Sequence, residues 1–452
     1  MADSNETGAT NATLPLGPSP RFVTAHFDVP GIDQIEVYRA HGGYEALAKA
    51  LKTFEPDALV TEVKNSGLRG RGGAGFSTGM KWSFLPAQSA KPRYLCVNGD
   101  ESEPGTFKDR MIMEVSPHTL IEGVIIASYA TKVHQAFIYV RGELLRAGAQ
   151  VERAVREAYT AGFLGKNILG SGFDLDIVVH HGAGAYICGE ESALLESLEG
   201  KRGYPRLKPP FPAVVGLYGG PTVINNVETI ATLPAIARYG AETYAAYGTE
   251  KSKGTRVYCL SGHVNRPGNY EAPLGIPMRT LIEEYGGGVR GGRAVKAIIP
   301  GGSSTPMLGP DALDIALDYE AVAAAGSMLG SGGMIVLDDQ TCVVGATLRM
   351  SEFYRDESCG KCTPCREGTF WLVQLLERLE EGEGRESDID LLLDICDNMF
   401  GKVFCPLGDA ATMPIVSSIK LFRDEYIHHI REHACLVGPG AHRAHGAVAH
   451  AG

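Results

Sequence analysis

Apolar positions recur every three to four residues in GYEALAKALK and DALVTEVKNSG, the spacing of amphipathic helices, with Gly67 placed as a C-cap. RYLCVN then predicts a short buried strand. PHTLIEGVIIASYATKV predicts a helix that feeds the strand AFIYVR. ELLRAGAQVERAVREAYTAG predicts a second helix, followed by the strand FDLDIVVH, a glycine turn and the helix EESALLESLEG. Strands separated by helices of this length predict a parallel α/β sheet. From about residue 253 the texture changes. TRVYCLSGHV and GNYEAPL alternate around Asn265, Pro267 and Gly268 as a hairpin, and a short helix PMRTLIEEYGG and the strand VKAIIPGG follow, a β-grasp order. From about 340, four helical stretches (CVVGATLRMSEFYR, CREGTFWLVQLLERLEE, DIDLLLDICDNMF and TMPIVSSIKLFRDEYIHHI) predict a small bundle.

This reading divides the chain into an extension at 1–34, loose at its start, an α/β domain at 35–248, a β-grasp domain at 249–336, a four-helix bundle at 337–435 and a flexible tail at 436–452. A length of 452 residues suits about three domains. Hydrophobic residues at 44% and charged residues at 21% fit a globular enzyme and exclude a disordered chain. No apolar run reaches the roughly 20 residues of a membrane span. The N-terminus has neither the basic start nor the apolar core of a secretory signal. A net charge of −11 argues against nucleic acid as the main partner. Ten cysteines are too sparse for a disulfide scaffold, yet three of them fall within seven positions.

Those three form Cys359-Gly-Lys-Cys362-Thr-Pro-Cys365, and a distant Cys405-Pro406 supplies a fourth thiol. Iron–sulfur cubanes need four thiolates, and a C-x2-C-x2-C triplet with a separate C-P is a recurring source. Zinc is the rival, although zinc sites more often use two pairs of cysteines. Thr363 as N-cap and Pro364 as the first helical residue would start a helix at the site, its positive end toward anionic sulfur. The other cysteines, including Cys342 and Cys435, read as core fillers or a tail thiol. The tail histidines His442, His445 and His450 read as solvated.

The second signal is the run Gly70-Arg71-Gly72-Gly73-Ala74-Gly75-Phe76-Ser77-Thr78-Gly79-Met80-Lys81. It contains G-x-G-x-x-G, but a helix precedes it, so the strand–turn–helix setting of a dinucleotide fingerprint is missing. Its glycine density and flanking Arg71 and Lys81 suggest instead a backbone-lined anion cradle. The strand RYLCVN ends in Asn98-Gly99-Asp100-Glu101-Ser102-Glu103, placing carboxylates where α/β sheets bind ligands. Carboxylates suit hydroxyl-bearing ligands rather than phosphates. His180-His181 precede a glycine turn, Tyr186 and the pair Glu190-Glu191 at a helix start, where acids complement the helix dipole or meet ribose hydroxyls. Neither histidine has a carboxylate partner nearby in sequence. Lys201, Arg202, Lys208 and Phe211 lie in a proline-rich loop, and Asn225-Asn226 precede another helix.

Taken together, GRGGAGFSTGMKW, ESEPGTFKDR, GAGAYICGEESALL, INNVET, SCGKCTPCREG and FCPLGD resemble the signatures of the flavin-bearing, NADH-oxidising subunit family of bacterial respiratory complex I, over about residues 35–435. The resemblance implies an FMN- and NADH-binding first domain, a soluble-ligand-binding β-grasp module and a bundle with a 4Fe–4S cluster on Cys359, Cys362, Cys365 and Cys405. It implies FMN contacts at Gly70, Arg71, Gly73, Lys81, Asn98, Asp100, Tyr186, Gly189, Glu190, Asn225 and Asn226. NADH is expected against Gly75, Phe76, Phe84, Glu101, Glu103, Glu191, Lys208 and Phe211. No protein acid or base is expected to act in the hydride transfer. Implied partners are a thioredoxin-like 2Fe–2S subunit and the hydrophilic iron–sulfur arm of the complex, with quinone as the distant acceptor. The implied location is the inner face of the plasma membrane, held there through the complex and without membrane insertion. Two rivals remain: the diaphorase of an NAD-reducing hydrogenase or formate dehydrogenase, and a non-catalytic zinc scaffold.

Overall fold

The computed structural model describes residues 20–437; the predicted loose start and the tail histidines lie outside them. The first sheet is parallel throughout, in the order β3-β2-β1-β4, with β1 Tyr94–Gly99, β2 Gln135–Val140, β3 Asp176–His181 and β4 Thr222–Asn226. Between them run α1 Lys108–Val115, α2 Pro117–Thr131, α3 Leu145–Thr160 and α4 Glu191–Leu198. All but one residue of α2 is buried, which is why that segment carries no polar face. The strand order reverses between β1 and β4, and at such a reversal loops diverge to open a crevice at the carboxyl ends. In register there, Asn98 pairs with Asn226.

The second sheet runs β6-β5-β8-β7, with β5 Thr255–Gly262, β6 Gly268–Pro273, β7 Val295–Ile299 and β8 Gly333–Asp338. The expected hairpin is β5–β6, antiparallel, while the central pair β5–β8 is parallel. The bundle comprises α5 Val343–Glu357, α6 Thr363–Glu380, α7 Glu386–Met399 and α8 Pro406–Glu432.

The structure departs from expectation in three places. β4 and β8 are strands that the pattern does not predict. β4 is short and ends in two asparagines, a composition that signals a turn rather than a ladder. The cap of α6 is displaced by one residue: Cys362 is the N-cap and Pro364 the second helical residue, so the thiol itself occupies the helix mouth. From Phe22 on, the N-terminal segment is anchored. Glu271 of β6 accepts the backbone N–H groups of Phe22, Val23 and Thr24 and the Thr255 hydroxyl, and the Phe22 ring packs on Tyr244 and Tyr247.

Candidate functional site

A cleft of about 550 Å³ opens at the carboxyl ends of β1 and β4, within the range of a cofactor pocket. Of the residues singled out in the sequence, Asn98, Asp100, Glu101, Glu103, Tyr186, Gly189, Glu190 and Asn226 line it. Gly72 of the glycine run lines it too, as do Thr106, Lys108, Ser304, Met328 and Phe400, which the sequence reading does not single out as ligand contacts. Ser304, Met328 and Phe400 come from distant segments, which no local pattern brings together.

Both Asp100 carboxylate oxygens are buried without a hydrogen-bond partner in the protein. Burial pushes this carboxyl up to about 7, against a smaller opposing pull from Arg141. Burial, with Asp109 beside it, likewise raises Glu101 to about 7, although the Asp109 and Arg110 N–H groups at the start of α1 bind it at 2.8 and 2.9 Å. A Cβ on Gly72 would approach the Asn226 side chain to 3.0 Å, and one on Gly189 would lie 3.5 Å from the Asp100 carboxylate. Narrow backbone walls and an unsatisfied carboxylate suit a flat ligand bearing hydroxyl donors.

The raised carboxyls have a stability consequence. Between pH 3.8 and about 7 the unfolded chain loses the Asp100 proton while the folded, ligand-free chain keeps it. Stability of the ligand-free chain therefore falls as pH rises through that window, by at most about 1.4 kcal/mol per unit for each such group. Asp100→Asn is expected to remove the Asp100 share of that slope and to leave the shares of Glu101, Glu103 and Glu122, whose carboxyls burial also raises. Denaturant midpoints at pH 4.5, 6 and 7.5 measure it.

Lys108 is the buried cation of the site. Its Nζ lies 2.8 Å from Asp109 and 2.9 Å from Glu228, and Asn226 bonds Asp109 at 2.6 Å. Burial alone would lower the Lys108 pKa, but these carboxylates hold it above the ordinary lysine range. Arg71, expected as a cleft cation, instead points inward. Its guanidinium is fully buried and donates to Tyr244 Oη and to the backbone oxygens of Lys253 and Thr255, tying the glycine run to β5.

The remaining candidates form a rim. Glu190 caps α4 through the Ser192 and Ala193 N–H groups and pairs with Lys208 at 2.7 Å. Glu191 bridges Lys81 at 3.0 Å and Lys208 at 3.1 Å, and although burial would raise it, those cations hold it below the usual carboxylate range. Phe76, Phe84 and Phe211 are exposed. Glu103 joins the first domain to the second, accepting from Tyr186 Oη at 2.7 Å and Ser304 N–H at 2.7 Å. The Gly70 carbonyl accepts from Tyr319 Oη at 2.8 Å, and a Cβ on Gly75 would come within 2.4 Å of the Tyr319 ring. Gly73, with φ +148°, has open space around it, and Asn225 accepts from Trp82 Nε1 at 2.8 Å. The two histidines do not form a metal pair: His181 bonds Glu152 of α3 at 2.9 Å, a partner invisible locally, and His180 stacks on Tyr139.

Cys359, Cys362, Cys365 and Cys405 converge on one small pocket with Pro205, Lys361 and Phe404. The Phe404 N–H reaches Cys362 Sγ at 3.5 Å, and α6 and α8 both begin at this pocket, on Cys362 and Cys405. Helix N-termini favour thiolates, so four crowded thiols here suit a shared cationic core. Leu407 lines both this pocket and the cleft.

Residues 63–235 match the model of the Nuo51 FMN-binding domain, 256–335 the SLBB domain, and 345–429 the NADH-ubiquinone oxidoreductase-F iron–sulfur binding region. The F subunit of NADH-quinone oxidoreductase from Mycobacterium tuberculosis is 59% identical over 95% of this chain and 97% of its own. Its Streptomyces coelicolor counterpart is 60% identical over 90% of each. Among solved structures, an NAD+-reducing [NiFe]-hydrogenase in the air-oxidized state superposes with a TM-score of 0.77 at 33% identity, covering 92% of this chain and 67% of that one. With three consecutive family regions in one order and relatives at such identity over nearly its whole length, the chain belongs to the family of NADH-quinone oxidoreductase F subunits.

Proposed function

We propose that the cleft between β1 and β4 seats FMN, that NADH approaches it past the exposed Phe76, Phe84 and Phe211, and that Cys359, Cys362, Cys365 and Cys405 hold the cluster that takes the electrons onward. The chain is an NADH-oxidising flavoprotein subunit of complex I, with FMN and a 4Fe–4S cluster as its cofactors and NADH as its substrate. The carrying observation is the adjacency of an unsatisfied carboxylate cleft and a four-thiol pocket across Leu407. Bound FMN supplies the one chemistry that accepts a hydride and releases electrons singly. The protein's own part is positioning. Asp100 and the side chains of Asn98 and Asn226 would hold FMN through its hydroxyls, Gly72 and Gly189 would leave room for it along the backbone, and Lys108 fixes Asp109 and Glu228 beneath the cleft.

Asp100→Asn tests this directly. It is expected to stabilise the empty chain while weakening FMN about tenfold or more, the value of a hydrogen bond to a charged acceptor. FMN titration of deflavinated protein decides it; unchanged affinity would move the flavin out of this cleft.

Nucleotide choice rests on the rim. NADPH adds a phosphate to the adenosine ribose, and Glu191 is the carboxylate we assign to repel it. In Glu191→Gln Lys81 loses its carboxylate partner and Lys208 keeps only Glu190, so the rim gains one unit of positive charge. A charge change at about 4 Å is worth about 4 kcal/mol at an effective dielectric of 20, before solvent and counter-charges reduce it. The NADPH-to-NADH ratio of kcat/KM is expected to rise roughly tenfold or more. An unchanged ratio would assign discrimination to another acid, Glu103 first.

Membership of a complex is a property of the family; the specific contacts proposed are a thioredoxin-like 2Fe–2S subunit and the iron–sulfur arm, placed at the inner membrane face. Among the described residues, no helix is long and apolar enough to cross a membrane.

A further inference from the structure

Cys342, His429 and Cys435, read in the sequence as a core filler, an unremarked helix residue and a tail thiol, meet at the end of the bundle remote from the cluster. Their ligand atoms all lie within 4.8 Å of one another. Cys342 Sγ is 3.5 Å from His429 Nε2 and 3.6 Å from Glu380 Oε1, and His429 Nε2 is 3.2 Å from that same oxygen. A tetrahedral zinc ion at its usual bond lengths requires edges of about 3.5 Å from sulfur to nitrogen or oxygen and about 3.3 Å from nitrogen to oxygen. Three edges of that tetrahedron are therefore already in place. We propose that Cys342, Cys435, His429 and Glu380 form a structural zinc site, distinct from the iron–sulfur centre.

Two surrounding contacts have the form that metal ligands require. His429 Nδ1 donates to the Glu425 carbonyl at 2.8 Å, which leaves Nε2, facing Cys342 and Glu380, as the nitrogen that would bind a metal on losing its own proton. A ring nitrogen held by a backbone carbonyl is the usual outer support of a ligating histidine. Cys342 is the N-cap of α5 and its sulfur accepts the Gly345 N–H at 3.3 Å, the kind of outer support a ligating sulfur takes, although burial pushes the free thiol up. Two thiolates, an imidazole and a carboxylate select zinc over calcium or magnesium. All four positions are filled by protein, so the ion would be structural rather than catalytic. Binding it displaces the thiol protons and joins the start of α5, the end of α6 and the segment after α8. Glu380 lies about 22 Å along α6 from Cys365, at 1.5 Å per residue, too remote for a share in the cluster's ligation.

The test uses the assembled enzyme, equilibrated with Zn²⁺ and then dialysed, with zinc and iron measured by mass spectrometry. Wild type is expected to hold one zinc per chain more than a Cys435→Ser/His429→Gln variant, with FMN content and the cubane EPR signal equal in both. Glu380→Gln, a milder change, guards against misfolding of that pair and is expected to weaken zinc about tenfold or more while leaving both cofactors in place. Zinc-edge absorption of the difference should show two sulfur and two lighter ligands. Equal zinc in wild type and the double variant would overturn the proposal. So would a zinc shell of four sulfurs, or an unreduced wild-type mass showing that Cys342 and Cys435 have joined as a disulfide.

Discussion

Replacing Cys405 by alanine is expected to abolish the cubane EPR signal and lower NADH-to-quinone electron flow in the assembled enzyme by more than about a hundredfold, beyond the loss from an outer-shell contact. FMN content should persist in good part, and ferricyanide, which takes electrons from flavin, should still be reduced by NADH. The separation follows from the placement of the thiol. Cys405 faces Cys359 and Cys365, and its own residue is not among those lining the cleft. The cleft meets α8 only from Pro406 onward. Quinone reduction that survives without the cubane would refute the electron path through these four cysteines.

Lys108→Met carries the largest expected loss of stability. The lysine is wholly buried between Asp109 and Glu228, and removing it strands two buried carboxylates with Glu101 close by. Breaking a buried ion pair from one side costs about 3–5 kcal/mol. That lowers the unfolding midpoint by about 3–5 °C in a chain of this size. The Lys108→Met/Glu228→Gln double variant should recover about half of it, since one stranded charge is then neutral. Thermal unfolding of the three proteins measures this. A single variant within about 1 kcal/mol of wild type would mean that the site relaxes to admit water.

What the sequence made legible follows what is local. Helices with strong periodicity, the hairpin, the cysteine spacing and the carboxylates after β1 stand in short runs, and each is where the pattern places it. The misses share a long separation. Arg71 reads as a cation beside glycines, but its partners Tyr244 and Thr255 lie more than 170 residues away. Lys108 sits in ESEPGTFKDR, where the sequence reading gives it no role, and its second carboxylate, Glu228, arrives from the far side of β4. Cys435 reads as a loose thiol because the segment beyond α8 has no periodicity, and only the folded bundle brings Cys342 to it. The one-residue shift at Cys362 is of another kind. Threonine is the better cap by propensity, but the thiol's place at the pocket decides where the helix begins.

One helix start does two things: Cys405 turns to the thiol pocket, while Pro406, Leu407, Ala410 and Met413 form one wall of the cleft. The bundle and the α/β domain are therefore not interchangeable parts. A chimaera that exchanges the bundle with a relative's, cut anywhere between the second sheet and α5, would import a foreign cleft wall along with the cysteines. The smallest block that can be swapped as a unit must include the loop after β1 as well as the start of α8. Ala410 and Met413 of α8 share the cleft with Ser102 and Thr106 of the loop after β1, so a change of size on one wall alters the space facing the other.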